Sequence, residues 1–181
     1  MKRILVVGSG GSGKSTLSQK LGCILDLPVI HLDTYFWNAN WVPKPNDEWD
    51  KIVDHFTNDE HWIIDGNYSR TMDIRIKRAD VIIFLDLPRL LCIYRIMKRR
   101  VMYHKRSRPD MNDECQEKLD WEFIKWVWNY RKRSRMNTIK KLEQITEHQQ
   151  VITVKTRKQV NELIDLLEKK SKLSEINEQR N

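Results

Sequence analysis

Residues 4–22 read ILVVGSGGSGKSTLSQKLG. An unbroken apolar run, Ile4 to Val7, breaks onto a stretch of glycine and serine. Beyond it Leu17, Leu21, Ile24 and Leu25 recur at helical spacing. A strand exposed on one face alternates apolar with polar residues, whereas a strand covered on both faces is apolar throughout. The order of covered strand, glycine turn and amphipathic helix predicts an α/β unit, whose next strand lies parallel to the first.

Gly8 to Ser15 fits the spacing G-x-x-x-x-G-K-[ST] of the P-loop. Gly8, Ser9, Gly10, Gly11, Ser12 and Gly13 are expected to curl so that backbone N–H groups converge on phosphate oxygens. The helix that follows presents its positive dipole end to the same anion. Lys14 is placed to reach the β- and γ-phosphates and act in catalysis, the Ser15 hydroxyl to ligate Mg²⁺, and Thr16 to help hold the α-phosphate. The implied ligands are ATP and Mg²⁺. ATP is favoured over GTP because the chain carries no N/T-K-x-D-like guanine-reading segment.

Four more apolar runs follow, at 29–33, 62–66, 81–86 and 151–154. Between them lie helical stripes: Trp49, Ile52, Val53 and Phe56; Leu90, Tyr94, Met97 and Val101; Ile139, Leu142 and Ile145; Val160, Leu163, Ile164 and Leu167. The alternation predicts a doubly wound sheet of about five parallel strands with helices on both faces. Residues 1–170 are expected to form one domain, and 171–181 a polar, frayed tail. Right-handed crossovers then gather the strand C-terminal ends along one edge.

Two carboxylates fall at that edge. Asp65, after the third apolar run, suits an acidic group holding Mg²⁺ through water. Asp33, after the second, suits orienting or deprotonating an acceptor hydroxyl, or sharing in the Mg²⁺ shell. Asp86 reads as the N-cap of the helix that Pro88 begins. His31, two residues before Asp33, reads as structural. Cys23, Cys92 and Cys115 are odd in number and lack metal spacing, which points to a reducing cytoplasm and to buried structural thiols. No apolar run approaches the ~20 residues of a membrane span.

The net charge of +8 is uneven: residues 1–88 carry 10 Lys/Arg against 12 Asp/Glu, and residues 89–181 carry 23 against 13. YRIMKRRVMYHKRSR (94–108) holds no acid at all. Such a run fits either an active-site cluster around one phosphate or a nucleic-acid footprint. WEFIKWVWNYRKRSR (121–135) raises the same choice. Its Trp121, Ile124, Trp128 and Phe123, Val127, Tyr130 stripes suit a helix packed by its aromatic side.

With these residues placed, the chain resembles the adenylate kinase-like P-loop kinases along nearly its whole length. The resemblance rests on the P-loop, on WIIDGNYSR (62–70) and on ADVIIFLDLPRLLCIYRIMKRR (79–100). It implies that Arg95 stacks on adenine, that Arg99 contacts phosphates with Arg100 beside it, and that a short lid spans about 101–115. It also implies an arginine beyond the lid on the transferred group, for which Arg131, Arg133 and Arg135 are candidates. More narrowly, GSGGSGKSTL, HLDTYFWNANW, WIIDGNY, RPDM and KLDWEFIKWVWNY resemble the bacterial DNA topology modulation proteins.

The acceptor side, about 34–60, departs from the nucleoside monophosphate kinases. Residues 31–60 contain no arginine and two lysines, Lys44 and Lys51. Aromatics stand beside Asp33 instead, with Phe36 and Trp37 foremost; Arg70 and Arg75 are the remaining candidates for a phosphate contact. The expectation is transfer of the γ-phosphoryl of MgATP to a small acceptor: a nucleoside, a nucleotide or another small alcohol. The alternative is a nucleotide-dependent DNA-associated regulator.

Overall fold

The structure is a computed structural model that describes residues 2–103, 115 and 121–178, the last five by backbone alone. The expected lid, 101–115 with Lys105, Arg106 and Arg108, lies outside the described residues except at 101–103 and Cys115.

The chain runs β1 (Arg3–Gly8), α1 (Lys14–Leu25), β2 (Val29–His31), α2 (Leu32–Phe36), α3 (Asn46–Asn58), β3 (Trp62–Asp65), α4 (Met72–Arg78), β4 (Val81–Leu85), α5 (Arg89–Met102), α6 (Trp121–Asn129), α7 (Ser134–Leu142), β5 (Gln150–Val154) and α8 (Arg157–Glu178). The five strands form one parallel sheet in the order β2-β3-β1-β4-β5. A two-residue antiparallel ladder, Trp37–Asn38 with Val42–Pro43, folds back over the sheet edge after α2.

The pleat divides the core. Leu5 and Val7 point into a cluster with Trp49, Val53, Trp62, Ile64, Met72 and Leu142, so α3, α4 and α7 cover that face. Ile4 and Val6 point the other way, into Leu17, Leu21, Leu163, Ile164 and Leu167, so α1 and α8 cover the second face. Successive side chains of a strand face opposite sides, so one unbroken apolar strand feeds both layers. Expected strands and found strands agree to within two residues. The main difference is at β2, which ends at His31, so Asp33 sits in the first turn of α2 and not at a strand end.

Several finer expectations change. The stripe Leu90, Tyr94, Met97 and Val101 faces outward; α5 instead buries Cys92 and Ile96 against Val127. In α6, Phe123 and Val127 pack inward with Tyr130 following, while Trp121 and Trp128 stay exposed. Asp86 does not cap α5, which begins at Pro88 without a side-chain cap. Cys23 is exposed, whereas Cys92 and Cys115 are buried thiols. α8 continues into the expected tail as far as Glu178, and the Ser171 hydroxyl donates to the Ile24 carbonyl at 3.0 Å.

Asp80 fastens the start of the central strand. Its carboxylate accepts from the Lys2 and Arg3 N–H groups and from the Arg3 guanidinium, at 2.8–3.1 Å. Burial pushes its pKa up, but these donors outweigh burial and hold it below the usual carboxylate range. A carboxyl with a depressed folded-state pKa adds stability above the unfolded value near ~3.9, and that stability is lost as pH falls through the lower folded value. Asp80→Asn is therefore expected to cost about 1 kcal/mol at neutral pH, the pair being partly solvent-screened. Urea melts at a series of pH values check it: the variant should also show a flatter loss of stability below about pH 4.

Candidate active site

A cleft of about 1170 Å³ runs along the C-terminal ends of the strands. Its lining includes Gly10 to Thr16, Asp33, Trp37, Tyr68, Arg95 and Arg99. Pockets for one small ligand are about 300–1,000 Å³, so this cleft has room for a nucleotide and a second molecule.

The loop after β1 is shaped by contact with α5 and α6. Gly11 has φ +73°, and a Cβ there would lie 2.3 Å from the Cys92 carbonyl oxygen. Gly10 passes under α6, where a Cβ would come within 2.5 Å of the Phe123 ring. The Cys92 carbonyl is backbone and cannot give way, so Gly11 requires glycine, whereas at Gly10 the Phe123 ring would have to shift. The loop is also held from below: the Gly8 N–H donates to Asn67 Oδ1 at 3.1 Å. Arg95 lines the cleft and donates to the Ser12 carbonyl at 2.9 Å, so its guanidinium braces the loop.

The residues present fit a bound polyphosphate. The Ser9 and Ser12 hydroxyls are buried in the loop without a hydrogen-bond partner among the described residues. Buried hydroxyls without partners are costly and point to a missing acceptor. Lys14 spans the loop, its Nζ donating to the Ser9 carbonyl at 3.1 Å. Loss of hydration pushes its pKa down; Asp33 and Asp65 push it back up, and Arg99 opposes them.

Asp65 is 3% exposed at the end of β3. Ser15 Oγ donates to its Oδ1 at 3.4 Å, and His31 Nδ1 meets its Oδ2 at 2.5 Å. Strand register makes the histidine contact, because His31 stands directly opposite Asp65 across β2 and β3. Among the described residues no three His, Cys, Asp or Glu cluster as a closed metal cage. A Mg²⁺ site of one hydroxyl and one outer carboxylate needs none, since Mg²⁺ keeps waters and substrate phosphates as ligands. Ser15 and Asp65 fit that arrangement.

Asp33 faces the same cleft. The Tyr68 hydroxyl donates to its Oδ1 at 2.6 Å. Burial, then the Asp33 charge and this hydrogen bond, push the Tyr68 pKa far up, so the phenol stays protonated. Phe36 does not line the cleft; it packs behind Tyr68, with ring centroids 4.5 Å apart. Trp37 does line it.

The arginines divide. Arg99 lines the cleft, while Arg100 is half-buried outside its lining. Arg131 is exposed and away from it. Arg135 makes a two-pronged bond to Asp86, Nε to Oδ1 and Nη2 to Oδ2, both 2.8 Å. It thus joins α7 to the end of β4 and is not turned into the cleft. Arg70 is likewise taken, by Asp50 at 2.7–3.1 Å. Arg75 is fully buried and donates to the carbonyls of Thr71, Gly66 and Tyr68. The acceptor-side roles expected of Arg70 and Arg75 thus meet guanidinium groups already held by the protein. Sequence reasoning passed over Asn67 and Tyr68; their signal was polar residues directly after the Asp-Gly of β3.

No protein-family model matches the chain, and no curated protein matches it. Solved structures do. A shikimate kinase from Bacteroides thetaiotaomicron aligns over 93% of this chain and 96% of its own, at 17% identity and TM-score 0.55. A shikimate kinase from Acinetobacter baumannii, in complex with shikimate, aligns over 92% and 93% at 14% identity and TM-score 0.56. A gluconokinase from Sinorhizobium meliloti aligns over 99% and 97% at 14% identity and TM-score 0.51. The likeness shows the fold. The chain shares the architecture of these solved kinases, a five-stranded parallel sheet with helices on both sides. No helix among the described residues is long and apolar enough to cross a membrane.

Proposed function

We propose that this chain is a kinase that transfers the γ-phosphoryl of MgATP to a hydroxyl of a small acceptor. The observation that carries the reading is that Lys14 and Asp33 line one cleft, with Asp33 the leading opposing charge on the Lys14 ammonium. A phosphate-gripping cation and a carboxylate suited to a hydroxyl thus face the same space. Fold likeness to small-molecule kinases supports the reading.

In this reading the loop N–H groups and Lys14 hold the β- and γ-phosphates. Arg99 offsets charge that develops on the transferred group. Ser15 and, through water, Asp65 hold Mg²⁺, which neutralises the phosphate oxygens when bound. Asp33, fixed by Tyr68, orients the acceptor hydroxyl and takes its proton. The acceptor oxygen forms the new bond to phosphorus as the bond to the ADP oxygen breaks.

Asp33→Asn is expected to lower acceptor-dependent ADP release by about 10²–10⁴-fold while nucleotide affinity stays within a few-fold of wild type. A coupled assay over nucleosides, monophosphates and small alcohols measures the first, and calorimetry the second. Full activity in the variant removes Asp33 from the mechanism.

A further inference from the structure

Asp65 has a neighbour on each of its two oxygens, and one of them is a histidine that the kinase reading leaves unused. β2 ends at His31, and strand register sets His31 directly opposite Asp65. Paired residues of a parallel sheet face the same side. Ile30 and Ile64, one residue earlier on each strand, point into the layer under α3 and α4. His31 and Asp65 therefore turn to the other side, towards α1.

Ser15 and Gln19 stand there, one turn apart on α1. Ser15 Oγ meets Asp65 Oδ1 at 3.4 Å. The Gln19 amide meets His31 Nε2 at 3.5 Å, the long end of a hydrogen bond. His31 Nδ1 closes the square on Asp65 Oδ2 at 2.5 Å. Ser15 and Gln19 line the cleft, while the Asp65 and His31 side chains are 5% and 13% exposed and stand one layer behind them.

The donors and acceptors fix one another. A carboxylate only accepts, so Nδ1 carries the proton of the His31–Asp65 contact, and Nε2 is left to accept from the Gln19 amide. A hydroxyl has one proton. With that proton on Asp65 Oδ1, the Ser15 Oγ lone pairs are left for a cation in the cleft. Lys14 and Arg75 also act on Asp65 through their charge. Charge at a distance favours the ionised carboxylate but does not choose its orientation, whereas a hydrogen bond to one oxygen does.

We propose that His31 is a positioning residue for the Mg²⁺ site: its Nδ1–H holds Asp65 Oδ2, so that Oδ1 stays turned to Ser15. The proposal rests on the reading of Ser15 and Asp65 as the residues that hold Mg²⁺. Groups that orient a metal's protein partners change metal affinity by about 10–100-fold when removed. A histidine that did no more than satisfy a buried carboxylate would change stability and leave the metal dependence alone.

The experiment titrates Mg²⁺ by calorimetry into the full chain with a non-hydrolysable ATP analogue, and repeats the analogue titration in EDTA. ADP release from MgATP with nucleosides, monophosphates and small alcohols is assayed in parallel. In His31→Leu, which keeps the bulk and removes the donor, the Mg²⁺ concentration that half-maximally tightens the analogue should rise about tenfold or more. Analogue affinity in EDTA should stay within a few-fold of wild type, which also shows that the variant is folded. His31→Asn, whose side-chain N–H can replace Nδ1–H, should restore most of the Mg²⁺ dependence. An unshifted Mg²⁺ midpoint in His31→Leu overturns the proposal. So does an equal loss with and without Mg²⁺, the mark of a structural role, and so does His31→Asn behaving like His31→Leu. A wild type whose analogue affinity ignores Mg²⁺ removes the metal site and the proposal together. A shifted midpoint in a protein that releases no ADP sustains the role of His31 and sinks phosphoryl transfer; ADP release with an unshifted midpoint does the reverse.

Discussion

Lys14→Met should lower phosphoryl transfer by about 10³-fold or more and leave the fold intact. The ammonium sits within the loop, where lost hydration already pushes its pKa down. That loss matters little once phosphates arrive, because their charge then replaces water around the ammonium. Without Lys14 the γ-phosphoryl keeps its charge uncompensated at the point where the transition state needs support. Methionine fills a similar volume, so the loop keeps its packing. The melting temperature without nucleotide should stay within a few degrees of wild type. Single-turnover rates and calorimetric scans measure the two halves separately. Undiminished transfer, or a collapsed melt, contradicts the role assigned to Lys14.

Arg75→Met should destabilise the protein by about 3–5 kcal/mol. Arg75 is 0% exposed, and burial lowers its pKa to about 10, which still leaves it charged at neutral pH. Its Nε donates to the Thr71 carbonyl at 3.1 Å, Nη1 to Gly66 at 2.7 Å and Nη2 to Tyr68 at 2.6 Å. Those carbonyls close the segment 66–71, which carries Asn67 under the Gly8 N–H and Tyr68 on Asp33. Removing the guanidinium strands three acceptors at once and loosens both supports. Arg75→Lys should recover less than half the loss, because one ammonium lacks the planar fork that spans three carbonyls. Urea denaturation midpoints test this; a methionine variant within ~1 kcal/mol of wild type overturns it.

How much of this was legible beforehand differs by element. The five strands were, because burial on both faces leaves unbroken apolar runs that no other local structure here imitates. The loop was, because Gly8–Ser15 combines a fixed spacing with a strand before and a helix after. The face of α5 was not. Leu90/Tyr94/Met97/Val101 and Cys92/Ile96 are both apolar at helical spacing, and only the close approach of Gly11 to the Cys92 carbonyl selects the second. The arginines were least legible. Arg135 finds Asp86 across 49 residues of chain, and Arg70 finds Asp50 across 20. A long cation takes whichever partner the fold brings near, and periodicity does not record that choice. Asp33 does line the cleft but was misplaced by one element, since HLD reads as the end of an apolar run whether the chain stays extended or turns into α2.

The basic stretch 94–108 looks different after folding. Arg95 braces the glycine loop and Arg99 lines the cleft, so part of its charge faces one small site. Asn67 and Tyr68, two neutral residues between an Asp-Gly and an arginine, turn out to connect the loop to Asp33.

The central claim is transfer to a hydroxyl, not hydrolysis. The most direct measurement follows ¹⁸O-labelled γ-phosphate from MgATP by mass spectrometry, with the protein and a mixture of nucleosides, monophosphates and small alcohols. The account predicts the label on an acceptor hydroxyl and its loss from that product in Asp33→Asn. Label found only in inorganic phosphate, or remaining in ATP, contradicts it.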